Sequence, residues 1–232
     1  MPDHTDWRRH RVCPDETTAL IRTTTGSQPR SEVQIEASRH LRRSKRPKAV
    51  MRKIFANWNE AGICVYQAFR PATVKAALRR GTFDKGFSLD RMTWIKPSFG
   101  WMLYRSGYAS KHRQEAILKI KISHHGFRAI LAQAVETSFN PKLYDSEPAW
   151  AAALARFEVR FQWDPERALD GDKLDRRAIQ IGLRGEVVKK YVNDWILQLE
   201  EVTELAKQIG GAVRNGRSIL PRGSIGTRIH CR

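Results

Sequence analysis

Cysteine is scarce in this chain, and long apolar runs are absent. The three cysteines, Cys13, Cys64 and Cys231, are far apart and form no CxxC pair, so neither a disulfide framework nor a zinc site is expected. No apolar run approaches the roughly 18–20 residues that cross a bilayer. No apolar stretch follows the charged residues 1–11 as it would in a secretory signal. These absences predict a cytoplasmic protein with reduced thiols and no membrane contact.

The familiar motifs of catalysis and nucleotide binding are missing too. The sequence has no GxGxxG and no GxxxxGK[ST], so it supports neither a dinucleotide-binding Rossmann turn nor a P-loop. It also has no GxSxG, no HExxH and no Cys–His arrangement that would mark a nucleophile. His124 and His125 have no third ligand at useful spacing, which indicates surface histidines, and no metal is predicted.

Acidic residues are few compared with basic ones. The chain has 24 Asp and Glu against 42 Lys and Arg, a formal net charge of +18. Residues 1–50 hold 11 basic against 6 acidic residues, and residues 207–232 hold 6 against none. More than half of the excess therefore lies in two short ends. Such a balance favours polyanions through counterion release, although basic ends also serve solubility. The cluster at Arg39–Lys48 fits either contact with nucleic acid or a solvated lead-in to the fold.

The order of hydrophobic patterns predicts one folded domain between two loose ends. Residues 1–48 are rich in Thr, Ser, Arg and Pro, which predicts a disordered basic segment, and residues 210–232 predict a flexible basic tail. Residues 49–209 alternate between two kinds of pattern. We predict strands at 63–69, 115–123, 158–163 and 194–202, and helices at 49–62, 71–81, 127–135, 149–157, 176–192 and 204–209.

This element order defines the predicted fold class. In EAILKIKIS, Ile117, Lys119 and Lys121 face one side and Leu118, Ile120 and Ile122 the other, as in a half-buried strand. Thr203 is predicted to cap the closing helix. Because the strands are short and their connections irregular, we expect a compact α+β domain rather than a doubly wound parallel sheet. Its sheet is expected to be mixed and mostly antiparallel, with flanking helices.

Four runs carry most of the candidate site residues: 91–106, 159–167, 65–71 and 179–186. In the last two, Gln67 and Gln180 are polar residues within apolar strands, and a ligand or the backbone has to supply their hydrogen-bond partners if they are buried. The densest is residues 91–106, where Arg and Lys offer charged donors to phosphate or carboxylate and Trp offers a stacking face. The run VRFQWDPER delivers a carboxylate to a strand end, where we expect Asp164-Pro165 to turn the chain. The alternatives are a buried aromatic segment for the first run and an ion-paired turn for the second. The candidate ligand-binding residues are Arg70, Arg91, Trp94, Lys96, Ser98, Tyr104, Arg105, Lys111, Gln162, Asp164, Arg167, Gln180 and Arg184.

The segments VYQAF, RMTWIKPSFGWMLYRSGYASK, ILKIKI, VRFQWDPER and IQIGLRGE together resemble a known family. It is the uncharacterised domain-of-unknown-function family 4291 of bacteria and fungi, and the resemblance covers roughly residues 50–206. The family brings no activity with it. VYQAFRPATVKAALRRGTF is also similar to the opening of ADP-ribosyltransferase-like domains, which implies catalytic roles for Glu166 and Gln67. Gln67 stands where that family has a His or Arg.

Two functions remain open on this basis. The first is a transferase that uses NAD or a related nucleotide, acting on a nucleic-acid or protein acceptor. Trp94 or Tyr104 stacks on the ligand, and Glu166 either stabilises the developing positive charge or activates the acceptor. The basic side chains that hold its pyrophosphate are Arg91, Lys96 and Arg105. The second is a nucleic-acid-binding module without catalysis, whose aromatics stack on bases while its basic ends follow the phosphates. A third possibility is a different enzyme for a phosphate ligand on an unshared fold.

Overall fold

The computed structural model of the chain describes residues 52–216 and, nearer the N-terminus, the backbone of two short strands. A single turn of π-helix at Tyr191–Trp195 follows the fifth α-helix. In chain order, the strands and α-helices are β1 (Ile21–Arg22), β2 (Glu32–Ile35), β3 (Lys53–Phe55), β4 (Trp58–Asn59), β5 (Gly62–Phe69), α1 (Pro71–Arg80), β6 (Thr93–Ile95), α2 (Phe99–Ser106), β7 (Ala116–Ser123), α3 (His124–Ala132), β8 (Ala134–Glu136), α4 (Glu147–Arg156), β9 (Val159–Arg167), β10 (Lys173–Leu183), α5 (Gly185–Lys190), β11 (Ile196–Glu201) and α6 (Thr203–Arg214).

Two four-stranded sheets form the body of the fold. The first sheet has the strand order β11-β7-β5-β4 and the second has the order β6-β10-β9-β8, while β1, β2 and β3 form a smaller sheet. All of the pairings are antiparallel except that of β8 with β9. The architecture is therefore α+β with mostly antiparallel sheets and flanking helices, which confirms the predicted fold class.

The two main sheets share one apolar core. Side chains of β5 and β7, such as Val65 and Ile120, pack in the same buried cluster as Ile179 and Ile181 of β10. The opposite face of the first sheet is covered by α2 and α6, whose Met102 and others pack around Tyr66. The alternation predicted for β7 is confirmed, since Leu118, Ile120 and Ile122 lie in the shared core and Ile117 lies in the second cluster.

A backbone bridge joins the two main sheets at one point. Tyr66 of β5 pairs with Lys96, which directly follows β6. The N–H of Tyr66 donates to the Lys96 carbonyl at 2.7 Å, and the reverse bond is 3.2 Å long. Directly opposed residues in an antiparallel pair share a face. The side chain of Lys96 therefore lies on the same side as that of Tyr66, the side that α2 covers.

Two predicted helices are wrong. The segment predicted as a helix over 49–62 contains β3 and β4 instead. That helix is predicted from the spacing of four between Val50, Ile54 and Trp58, and this spacing fits one face of a strand as well as a helix. The segment 176–192 begins with β10 and becomes helical only at Gly185. In β10 every second residue, Ile179, Ile181 and Leu183, is buried in the core, and this period of two decided the structure.

Three local predictions also need correction. Asp164-Pro165 makes no turn, because β9 runs through it to Arg167. Pro165 is tolerated there because β8 pairs only with residues 159–161, so on that side no described strand pairs with β9 at Pro165. Thr203 is the first residue of α6 and not its cap; its hydroxyl accepts from the N–H of Ile117. The closing helix extends to Arg214, beyond the predicted start of the tail.

The predicted loose ends fall mostly outside the described residues. Within the segment 1–48 the structure describes only β1 and β2, and of the predicted tail it describes residues 210–216. No helix in the described part of the chain is long and apolar enough to cross a membrane.

Candidate functional site

The second sheet has one face in the shared apolar core, and its other face is polar. Side chains alternate along β9, so Arg160, Gln162, Asp164 and Glu166 point to the side opposite Phe161. Gln162 is paired with Gln180 of β10, and Trp94 of β6 is paired with Gly182, so these residues lie on the same face. We call this surface the polar face; it consists of Trp94, Lys96, Arg160, Gln162, Asp164, Glu166 and Gln180.

Lys96 is the least compensated charge on the polar face. Its side chain is 7% exposed, and its Nζ has one weak hydrogen bond, at 3.5 Å, to the Trp94 carbonyl. No carboxylate of the described residues lies within ion-pair distance of it. Burial lowers the pKa of Lys96 to about 8; the charge of Arg105 acts in the same direction, and that of Asp164 opposes both. Among the described residues, Lys96 is thus a buried ammonium without a direct counter-ion.

Asp164 binds two glutamines at once. Its Oδ1 accepts from the Gln162 amide at 2.9 Å, and its Oδ2 accepts from the Gln180 amide at 2.8 Å. The register explains this arrangement, because Gln162 is two residues along the same strand and Gln180 is diagonally across from Asp164. The carboxylate is 9% exposed, and both of its oxygens have donors.

Glu166 anchors the beginning of α2. Its carboxylate is 2% exposed and accepts a hydrogen bond of 2.5 Å from the Ser98 hydroxyl and one of 2.8 Å from the Arg167 N–H. The other oxygen lies 3.9 Å from Nε of Arg176. Ser98 also caps α2, since its oxygen accepts from the Trp101 N–H. These bonds hold the helix against β9, so Glu166 has a structural role whether or not it also has a chemical one.

A stack of aromatic and guanidinium groups lies beside this anchor. Trp101 of α2 is stacked on Tyr104 with ring centroids 5.4 Å apart, and the guanidinium of Arg167 lies 4.0 Å from the Tyr104 ring centre. Tyr104 is exposed, whereas Trp101 is buried. The indole N–H of Trp101 and Nε of Arg167 are both buried and have no hydrogen-bond partner among the described residues. The stack therefore combines the exposed ring of Tyr104 with two buried N–H groups that have no acceptor among the described residues.

The structure brings several of the predicted site residues together. Lys96, Gln162, Asp164 and Gln180 lie on neighbouring rows of the polar face, and Trp94 lies on the adjoining row. Glu166 lies on this face as well. Contacts within and around α2 bring Ser98, Tyr104 and Arg167 to the end of the face that Glu166 occupies.

Gln67 is placed elsewhere. It is 3% exposed and belongs to the face of β5 that carries Val65, which is the shared core. Its amide donates to the Thr93 hydroxyl at 2.6 Å and accepts from the Tyr191 hydroxyl at 2.8 Å. Burial raises the pKa of Tyr191 well above its usual value, so this hydroxyl remains a donor. The bonds of Gln67 are those of a satisfied core residue.

Five other predicted residues lie away from the cluster or at its edge. Arg70 is exposed at the end of β5 and interacts with the charge of Glu115, and Arg91 is exposed before β6. Arg105 is exposed on α2, and its carbonyl accepts from Lys111 at 2.9 Å. Arg184 lies at the far end of β10 and donates to carbonyls at the end of α4. Of these, only Arg105 affects the charge state of Lys96.

Sequence reasoning missed three residues of this region. Arg160 was not selected, although it precedes Gln162 and Asp164 at the same spacing of two; it donates to carbonyls at the end of α4. Arg176 was hidden by the predicted helix over β10. Trp101 stood among the aromatics of the densest run, but no sequence signal separates it from Trp94. No group of three or more His, Cys, Asp or Glu side chains in the described residues is placed to hold a metal ion.

The fold and the site define the class of protein: an α+β domain with a polar sheet face next to an N-capped helix. The chain belongs to the family described as a domain of unknown function (DUF4291), whose model matches residues 53–222. The match confirms the family resemblance of the sequence. No curated protein and no solved structure matches the chain. The similarity to ADP-ribosyltransferase-like domains therefore stays a prediction.

Proposed function

We propose that the chain binds a nucleotide on the polar face, with a phosphate of the ligand at Lys96. The observation that supports this is the buried ammonium of Lys96, which has no carboxylate within ion-pair distance among the described residues. Burying an unpaired charge costs free energy. An anionic ligand that enters the site supplies the missing counter-ion and relieves this cost.

Trp94 supports the choice of a nucleotide over a simple anion. Its ring leans over β10 at Gly182, where an added Cβ would come within 3.1 Å of the indole. The ring is half-buried, so part of it is open to a ligand. A base can stack on an indole face, and such stacking contributes about 1–3 kcal/mol per base. Phosphate and base then occupy neighbouring rows of the same face.

The experiment is a thermal-shift screen of the full chain against inorganic phosphate, AMP and NAD. Any ligand that binds the folded state raises the Tm by mass action. We expect AMP or NAD to raise the Tm of the wild type, and Lys96→Met to abolish that shift. Lys75→Met is the matched control, because Lys75 is an exposed lysine on α1 and its loss changes the net charge equally. A shift that survives in Lys96→Met contradicts the proposed site.

We further propose that the bound nucleotide is NAD and that its ADP-ribosyl group is transferred. In this reaction the bond to nicotinamide breaks, and a bond to an acceptor nucleophile forms. Glu166 supports it as a carboxylate held rigidly by Ser98 and Arg167, two residues from Asp164 on the same face. A fixed negative charge stabilises the positive charge that develops on the ribose. Glu166→Gln is expected to stop the release of nicotinamide from NAD. If release is unchanged, Glu166 does not stabilise the charge on the ribose.

A second candidate function, nucleic-acid binding, is favoured by a different observation. The guanidinium of Arg52 lies 5.3 Å from the Trp163 ring centre, and that of Arg176 lies 4.5 Å from the Phe55 ring centre. Alternating arginine and aromatic side chains suit a single strand, and the net charge of +18 favours polyanions. We expect Arg52→Ala with Arg176→Ala to weaken the binding of a short single-stranded RNA and to flatten its salt dependence. Unaltered binding rules this surface out.

A further inference from the structure

Asp164 fixes the orientation of two amide side chains on the polar face. An ionised carboxylate only accepts hydrogen bonds, so the group that each glutamine turns towards it has to be its NH₂. The Gln162 amide donates to one oxygen and the Gln180 amide donates to the other. Neither glutamine is therefore free to exchange the positions of its amide oxygen and nitrogen.

The consequence is a pair of oriented acceptors. With both NH₂ groups held by Asp164, the carbonyl oxygens Oε1 of Gln162 and Gln180 point away from it. Neither oxygen accepts a hydrogen bond from any residue that the structure describes. Both side chains are half-buried, so each remains partly open to a ligand. Such carbonyls favour a neighbouring N–H donor and disfavour another acceptor.

We propose that Asp164 is a positioning residue that makes this site selective for nucleobases carrying an exocyclic amino group. The amino group donates to the oriented oxygens of Gln162 and Gln180, while the phosphate of the same nucleotide binds Lys96. A base with an oxo group in that position places an acceptor oxygen next to the acceptor oxygens of Gln162 and Gln180. No hydrogen bond can form there, so the base binds more weakly. This inference rests on the proposed nucleotide site and adds the class of base that it takes.

The spacing of the strands agrees with a single nucleotide. Lys96 follows β6, Gln180 lies on β10 and Gln162 lies on β9, in neighbouring positions of one face. Adjacent strands are roughly 4.8 Å apart, so the outer two positions are separated by about 10 Å. The ring of Trp94 lies against Gly182, two residues along β10 from Gln180, so a base stacked on this ring would lie next to the row that carries the glutamines.

The test compares AMP with IMP, which carries an oxo group in place of the amino group. Isothermal titration of the full chain is expected to show AMP bound at least tenfold more tightly than IMP, since about 1.4 kcal/mol, close to one hydrogen bond, corresponds to a tenfold change. In Asp164→Asn the new side chain has one donor and one acceptor, so one glutamine has to rotate and present its NH₂ outward. The ratio of the IMP to the AMP dissociation constant is expected to fall to about one.

The ratio of the two dissociation constants shows whether Asp164 positions the glutamines or only supports the sheet. A variant that only loosens the sheet weakens both nucleotides alike and leaves their ratio unchanged. Gln162→Met and Gln180→Met provide a second test. Each variant removes one acceptor oxygen, while the remaining glutamine still donates to Asp164. Each is expected to weaken AMP by about tenfold, whereas IMP, which loses one repelling acceptor, is not weakened.

The outcomes distinguish the proposed base selectivity from the nucleotide site on which it rests. Equal binding of AMP and IMP to the wild type, lost in Lys96→Met, overturns the base selectivity and leaves the nucleotide site in place. A ratio that is unchanged in Asp164→Asn overturns the positioning role. Binding of neither nucleotide to the wild type overturns both.

Discussion

The hydroxyl of Ser98 donates a 2.5 Å hydrogen bond to the Glu166 carboxylate, and its oxygen accepts the N–H of Trp101. One side chain thus caps α2 and ties it to β9. Because Lys96 precedes Ser98 by only two residues, the same contact fixes the junction at which Lys96 lies. The position of the candidate site depends on this link between a helix cap and a buried carboxylate.

Removal of the Ser98 hydroxyl is predicted to destabilise the chain by about 2–4 kcal/mol. Ser98→Ala removes the cap, typically about 1 kcal/mol, and deprives a buried carboxylate of a donor, about 1–3 kcal/mol more. Ser146→Ala is the matched control, since Ser146 caps α4 by the same type of bond and touches no carboxylate. Urea unfolding measures both; equal losses would show that the bond to Glu166 contributes nothing.

Tyr191→Phe is predicted to reduce stability without changing nucleotide affinity. The Tyr191 hydroxyl makes the only hydrogen bond to Oε1 of Gln67 among the described residues. Its removal leaves a buried acceptor unpaired, at a cost of about 1–3 kcal/mol. Tyr104→Phe, at an exposed position, is expected to cost less than about 0.5 kcal/mol. A loss of AMP or NAD binding in Tyr191→Phe would instead argue that Gln67 belongs to the site.

Gly100 is predicted to tolerate no side chain. A Cβ at this position of α2 would come within 2.1 Å of the Arg167 carbonyl, so the helix would have to move off β9. Gly100→Ala should therefore cost about 1–3 kcal/mol. Gly211→Ala in α6 should gain about 0.5–1 kcal/mol, because nothing lies near its Cβ and alanine favours a helix. Thermal unfolding of the two variants checks the opposite signs; a stabilised Gly100→Ala contradicts the close packing.

The stability of the wild type is predicted to rise with pH between about 8 and 10.5 relative to Lys96→Met. The pKa of Lys96 is lowered from 10.5 to about 8 in the folded chain. In that window the unfolded state holds a proton that the folded state has lost, so raising the pH favours folding. The full effect is about 3 kcal/mol, at about 1.4 kcal/mol per pKa unit. Urea unfolding at pH 7.5 and 10 measures most of this effect, about 2 kcal/mol; parallel changes in the two proteins would show an unperturbed lysine.

Much of the fold was predictable because the decisive signals were local. The alternation of apolar and charged residues from Ile117 to Ile122 was enough to identify β7 and to assign its two faces. Pro71 and Gly81 likewise marked the bounds of α1. The errors arose where two local signals competed. In β10, the residues from Ile179 to Leu183 alternate as in a strand, but the helix predicted over 176–192 includes them in spite of Gly182 and Gly185.

Individual residues of the candidate site could be predicted from the sequence, but their arrangement in space could not. Lys96, Gln162, Asp164 and Gln180 are each predicted as polar groups that a local run presents to a ligand. Their proximity follows from the strand order β6-β10-β9, which long-range pairing determines and no local pattern encodes. Gln67 is predicted from the resemblance to ADP-ribosyltransferase-like domains, and it lies in the core. A buried glutamine with internal partners has the same sequence signature as one that binds a ligand.

The most direct test of the account is proton uptake by Lys96 when AMP binds. At pH 8 about half of the Lys96 side chains are neutral, given a pKa of about 8. The phosphate, with a second pKa near 6, is fully ionised at this pH. Isothermal titration in buffers of different ionisation enthalpy should show uptake of up to about half a proton per AMP in the wild type, and none in Lys96→Met. Binding of AMP without proton uptake would contradict a phosphate at Lys96.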